Sequence, residues 1–189
     1  MRPDTEVNRT RILIAARRVF SEAGEGVPMT RVARHAGVSV VTLYRRFPTR
    51  DLLVADVHTR QWEECLAVHA QLLRHPDPAW ALREWLHRLC ACQVSDQGYT
   101  KAFVDAMLAG RGLDHERLTT DRTVATLLSR AQAAGTLRAD LAVTDVRLAI
   151  AGNQGIVAAA GRNAAAASRR YVTHMLRSFQ SWEGATRRG

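Results

Sequence analysis

The residues best suited to chemistry lie in one short run, Gly37 to Asp51, which reads GVSVVTLYRRFPTRD. Ser39 has the type and place of a helix cap, and three β-branched residues follow it, Val40, Val41 and Thr42. Such residues lose rotamer freedom in a helix and fill a merely exposed one poorly. They suit a surface that reads bases, because apolar methyls contact the C5-methyl of thymine and Arg pairs with guanine O6 and N7. Arg and Tyr side chains and capped helix starts bind phosphates and set register. Val40, Val41, Thr42 and Arg45 are therefore candidate base readers. Thr30, Tyr44, Arg46 and Arg50 are candidate phosphate contacts, with Ser39 at the start of the reading helix.

Other constellations carry less. Cys65 and His69 stand four apart on one helix and could share a face, and Cys90 and Cys92 lie on the next. Residues two apart on a helix point about 200° away from each other, so Cys90 and Cys92 do not easily chelate together. No ligand set with zinc-like spacing occurs, and no metal is expected. A metal- or thiol-responsive protein is the alternative reading, against core packing of the cysteines. No Gly-rich phosphate loop, Walker lysine, HExxH or GxSxG is present, so neither an enzyme nor a cofactor is expected. Asn153 and Gln154 place two amides inside an apolar helix. They need partners if buried, and serve either a pocket or a contact between copies of the chain.

Helices must position these groups. The 189 residues are 47% hydrophobic, with only five Pro and twelve Gly to interrupt helix formers. No sustained period-two alternation occurs, so the expected class is all-α, about nine helices. They are expected at about 5–23, 30–36, 39–47, 49–74, 79–94, 100–109, 115–134, 144–160 and 165–182. Thr30 is expected to cap the second helix and Ser39 the third. Pro48 stops the third, because the residue before a proline is pushed out of the α region. Inner faces are assigned to Ile12, Ala16, Val19, Phe20 and Ala23 in the first helix and to Leu53, Val57, Trp62, Leu66, His69 and Leu73 in the fourth. In the seventh they are assigned to Leu118, Val124, Leu127, Leu128 and Ala131.

The formal net charge is +9, and Lys101 is the only Lys. Residues 1–60 hold eleven Arg against six acids, so the first third carries more than half of the excess, as expected where a nucleic-acid face sits. Three cysteines without a secretory context point to a reducing cytoplasm. No run reaches the roughly 20 apolar residues that a membrane span needs, and no membrane partner is expected.

Residues 29–47 have the logic of a helix-turn-helix. Ala33 lets the second helix approach the first, Gly37 supplies the positive φ of a tight turn, and Val38 plugs it. Leu43 and Phe47 face inward, leaving Thr42, Tyr44, Arg45 and Arg46 outside. Thr30, Val32-Ala33, Ala36-Gly37-Val38-Ser39, Leu43-Tyr44, Phe47 and Asp51-Leu52-Leu53 closely resemble the TetR family of transcriptional repressors over roughly residues 9–55. The Gly135–Asp140 run is similar to that family's regulatory domain.

The resemblance implies an N-terminal three-helix DNA-binding domain, residues 1–48, and a helical ligand-binding and dimerisation domain, residues 49–189. It also implies a homodimer on a palindromic operator of double-stranded DNA, and repression rather than activation. Arg50 stands where the family often carries Lys, and both donate to phosphate. Val40-Val41 stand where many members carry Lys-Gly, a departure that bears on operator sequence and not on DNA binding.

The fourth helix, entering the second domain from the DNA, is a natural lever for a small-molecule effector. The candidate ligand-binding residues are Trp62, Cys65, His69, Trp85, Leu89, Phe103, Met107 and Asn153, each of a type that also serves as core. The last two helices are read as the dimer interface. There Gly152 and Gly155 allow close approach, and Tyr171, Met175, Phe179 and Trp182 form a stripe like half of a four-helix bundle.

Overall fold

The structure, a computed structural model, describes residues 3–96 and 98–181. Among them are nine α-helices: α1 Pro3–Ala23, α2 Met29–Ala36, α3 Val40–Arg46, α4 Arg50–Leu73, α5 Pro78–Ser95, α6 Tyr99–Ala109, α7 Asp114–Ala133, α8 Val143–Ala160 and α9 Ala164–Ser178. A single 3₁₀ turn, Gly161–Asn163, joins the last two. The fold is all-helical, as the composition and periodicity predict, and two compact units divide it.

The first unit comprises Met1–Cys65 with Ser95–Ala102. Its core is built on Ile12, Val19, Phe20, Val32, Leu43, Phe47 and Leu53, all at most 2% exposed. Ala33 is buried in α2, which packs against both α1 and α3. Gly37 takes φ +63°, and its N–H closes on Arg34 O while Val38 N–H donates to Ala33 O at 3.1 Å. Only glycine adopts that left-handed turn without cost. Ser39 caps α3, its Oγ accepting the Thr42 N–H at 3.0 Å. Thr30 does not cap α2: Met29 is already helical, and Pro28 holds the cap position with φ −61° and no side-chain hydrogen bond. Proline pre-sets the φ of a helix start, and burial of Met29 draws the helix one residue further back.

The short segment 95–102 is fastened into this unit by Asp96. Its carboxylate accepts from Ser21 Oγ (3.0 Å), Gln61 Nε2 (3.3 Å), Thr100 Oγ1 (2.8 Å) and the N–H groups of Gly98 (2.9 Å) and Thr100 (3.2 Å). Tyr99 sets its ring edge-on to His58, 5.1 Å between centroids.

The second unit comprises Leu66–Val94 and Phe103–Gly189. Leu72, Leu82, Leu86, Val104, Leu127 and Ile150 form its centre, with Trp85, Phe103, Met107 and Phe179 around them. Arg130 of α7 donates to the carbonyls of Leu73 (2.6 Å) and His75 (2.9 Å), satisfying the open end of α4. The inner faces differ from expectation at Ala23, Leu66 and Leu118, which are exposed, and at Leu72, which is buried in place of Leu73. The last helix ends at Ser178 instead of 182. Beyond it the backbone finds partners distant in sequence: Arg138 N–H donates to Phe179 O at 3.1 Å and Ser181 N–H to Thr136 O at 3.4 Å. These hydrogen bonds replace a further helical turn. Trp182 lies outside the described residues.

Candidate nucleic-acid interface

The outward face of α3 is decided by how the helix sits on its own core. A seven-residue helix holds its shape in water only through packing, and Leu43 (0% exposed) and Phe47 (2%) supply that packing. The helical period then turns Val41, Tyr44 and Arg45 outward, with Arg46 beside them. Val41 is 74% exposed, the most exposed of the large apolar side chains among the described residues. Val40 is half-buried and packs against the core. The Thr42 hydroxyl is hydrogen-bonded to Ser39 Oγ at 2.8 Å. The cluster therefore presents apolar methyls flanked by Tyr44, Arg45 and Arg46 on one surface.

Thr30 lies exposed in the first turn of α2. Arg50 is half-buried, and its Nη1 donates to the Glu25 carbonyl at 2.6 Å, holding the loop between α1 and α2. The Glu25 carboxylate accepts from His58 Nε2, also at 2.6 Å. Arg9 pairs with Asp56 and sits 5.7 Å over the Phe47 ring. Reasoning from sequence missed Glu25 and Asp96. Asp96 leaves a local trace, an Asp two residues before Gly98 and four before Thr100, the composition of a helix start. Its contacts with Ser21 and Gln61 leave none.

The candidate ligand-binding residues do not form one group. Trp62 and Cys65 belong to the first unit, and the other six to the second. There Trp85 Nε1 donates to His69 Nε2 at 3.2 Å, both side chains being buried. Burial pushes the His69 pKa below its usual value. A bare Nε2 is also what the indole N–H requires. Phe103 and Met107 are core residues, and Leu89 is half-buried against the same core. Asn153 is fully buried. Its Nδ2 donates to Gln93 Oε1 at 2.8 Å and reaches Cys90 O at 3.4 Å, while Gln93 Nε2 donates to Ile150 O at 3.1 Å. Gln154 turns the other way and donates to Asp105 at 2.8 Å. Both amides are thus engaged within the chain.

Burial, with Cys92 nearby, pushes the Cys90 thiol up to about 12. Among the described residues no group of three His, Cys, Asp or Glu side chains could hold a metal ion. A cavity of about 1020 Å³ opens elsewhere in the second unit, lined by Trp80, Arg83, His87, Leu137, Thr173 and Arg177 among others. None of the eight candidates lines it.

The last two helices meet each other closely. A Cβ on Gly152 would stand 2.3 Å from the Tyr171 hydroxyl, so the two residues make an intrachain contact between α8 and α9. Phe179 and Met175 pack into the chain's own core. The outer face of α8 instead shows Leu148, 69% exposed, and Gly155, which has open space around it. Among the described residues no helix is long and apolar enough to cross a membrane.

Two family descriptions match the chain: bacterial regulatory proteins of the tetR family over residues 12–57, and the C-terminal domain of SbtR-like transcriptional regulators over residues 77–177. Among solved structures, a TetR transcriptional regulator from Streptomyces coelicolor is 31% identical, with 92% of this chain and 99% of that chain covered and a TM-score of 0.67. A TetR regulatory protein from Mycobacterium vanbaalenii is 28% identical, with 94% and 97% covered and a TM-score of 0.62. A TetR-family regulator from Agrobacterium tumefaciens shares the fold at a TM-score of 0.73 with 18% identity, 94% and 100% being covered. No curated protein sequence matches.

Proposed function

The chain belongs to the TetR family of transcriptional regulators, and on that premise we propose that it is a repressor, released from a palindromic DNA operator by a small-molecule ligand. The outward face of α3 carries this reading. Exposed methyls and two adjacent Arg stand outward on a helix held by Leu43 and Phe47, a surface that suits DNA and is not buried among the described residues. Residues 1–48 are the DNA-contacting module, and 49–189 the ligand-binding and dimerisation domain. Tyr44 and Arg46 contact phosphates together with Thr30, while Arg45 reads guanine. Arg50 has donors left beyond the one given to Glu25 and adds a phosphate contact at the start of α4.

The ligand site of this reading lies in the second unit at the buried His69–Trp85 pair, Trp85 sharing one core cluster with Phe103 and Met107. Such a ligand must bind the released state better than the DNA-bound one. Two copies meet through the outer face of α8, where Leu148 is exposed and Gly155 allows close backbone approach. Dimeric helix-turn-helix proteins set their reading helices about 34–36 Å apart.

The test is selection of bound duplexes from a random pool by the full chain, followed by binding titrations. The enriched sequences should be palindromic, with an affinity that falls steeply as salt rises. Arg45→Ala should change the ranking of sequences, whereas Arg46→Ala should weaken all of them alike. A monomeric mass by light scattering at micromolar concentration, or an unselective pool, would overturn the reading.

A further inference from the structure

Seven residues, VVTLYRR, make up α3, and what they lack is as informative as what they hold. There is no Asn or Gln to grip the N6 and N7 of adenine, and no Asp or Glu to accept from the N4 of cytosine. Arg45 covers guanine. Leu43 is buried and Val40 is turned against the core.

The remaining hydroxyl near the base edges, that of Thr42, is already used. It is tied to Ser39 Oγ at 2.8 Å, while the same Oγ accepts the Thr42 N–H at 3.0 Å. That pair of hydrogen bonds engages the Thr42 hydroxyl with Ser39 and leaves the γ-methyl as the branch with no hydrogen-bonding role. Val41 adds two more methyls on a side chain that is 74% exposed.

We propose that α3 reads the C5-methyl group itself, so that thymine and 5-methylcytosine are equivalent partners for Val41 and Thr42, with Ser39 the residue that turns Thr42 into an apolar reader. Both bases carry the methyl at the same place in the major groove; Val41 has no polar group to tell their pairing edges apart, and the Thr42 hydroxyl is engaged with Ser39. Binding is then sensitive to cytosine methylation wherever a cytosine stands in place of a read thymine. This rests on the DNA-binding reading above.

The experiment uses the full chain and a duplex enriched from a random pool. Each thymine is replaced in turn by uracil, which removes the methyl and nothing else. At the read positions the affinity should fall roughly three- to tenfold, the size expected from burying one or two methyl groups. Replacing the same T·A pair by C·G should weaken binding, and 5-methylcytosine in that C·G pair should recover the three- to tenfold lost with the methyl. In Val41→Ala the uracil penalty should shrink to under twofold. Thr42→Val, which keeps the methyl, should retain the thymine preference that Thr42→Ser loses. A uracil penalty absent at every position, or undiminished in Val41→Ala, overturns the proposal while leaving selective DNA binding intact. A pool with no enriched duplex overturns both.

Discussion

Replacing Gly152 with alanine sets two effects of opposite sign against each other. A glycine within a helix is worse than alanine by about 0.5–1 kcal/mol, so propensity alone favours the change. The structure opposes it, because the new Cβ would stand 2.3 Å from the Tyr171 hydroxyl oxygen and 2.9 Å from its Cζ. Neither distance is tolerable, and a tyrosine ring has only two torsions with which to move aside. Overpacking of this kind costs about 1–3 kcal/mol, which leaves a net loss of roughly 1 kcal/mol after the propensity gain is subtracted. Urea denaturation at one fixed protein concentration should show a lower midpoint with an unchanged slope. Tyr171→Phe removes the nearer atom but leaves Cζ, so it should rescue Gly152→Ala only in part. Tyr171→Leu should remove the penalty and expose the propensity gain. A Gly152→Ala variant as stable as the parent, or unaffected by Tyr171→Leu, would refute this account of the α8–α9 contact.

Three further outcomes follow from buried polar groups. Asp96→Ala should destabilise the first unit by about 2 kcal/mol or more, because it strands the buried N–H groups of Gly98 and Thr100; hydrogen exchange in α6 unchanged from the parent would contradict this. His69 has its pKa lowered by burial, so below about 6.5 the unfolded chain takes up the proton more readily than the folded one. Stability from this group is therefore full above that pH and is lost as pH falls. The parent should lose more stability than His69→Gln between pH 7.5 and 5.5 in parallel denaturation curves. Cys90, with its thiol raised to about 12, should resist alkylation at pH 8 in the folded protein, while exposed Cys92 reacts; mass mapping of the labelled sites decides it.

What could be read from the sequence was what is set locally. Gly37 and Gly135 take positive φ where the helix period breaks, and Pro48 closes α3 as proline chemistry requires. Those signals locate helices to within a few residues. The burial of Leu43 and Phe47 follows from the spacing, and so does the exposure of Val41 and Tyr44. Contacts far apart in the chain were not legible. The end of α9 depends on Thr136 and Arg138, more than forty residues earlier. The direction of the Phe179 stripe depends on which face of α9 meets α8, and periodicity shows a stripe without saying what it faces. The ligand candidates rest on residue type, which does not distinguish a core Trp from a pocket Trp, and the fold divides them between two units.

The Asp96 fastening also bears on the order in which the chain is made. The first unit is not a contiguous stretch: its last members, residues 95–102, are synthesised some thirty residues after Cys65. At ribosomal rates of about 5–20 residues per second, that interval is on the order of 2–7 seconds. Until it has passed, Ser21 and Gln61 have no Asp96 to bind, and the backbone of Phe20 lacks the cover of Gly98. A nascent chain stalled with residue 80 outside the ribosome should leave α1 open to protease, and one stalled past residue 120 should protect it. The unit proposed to read DNA thus reaches its finished form only once the second unit is already being made.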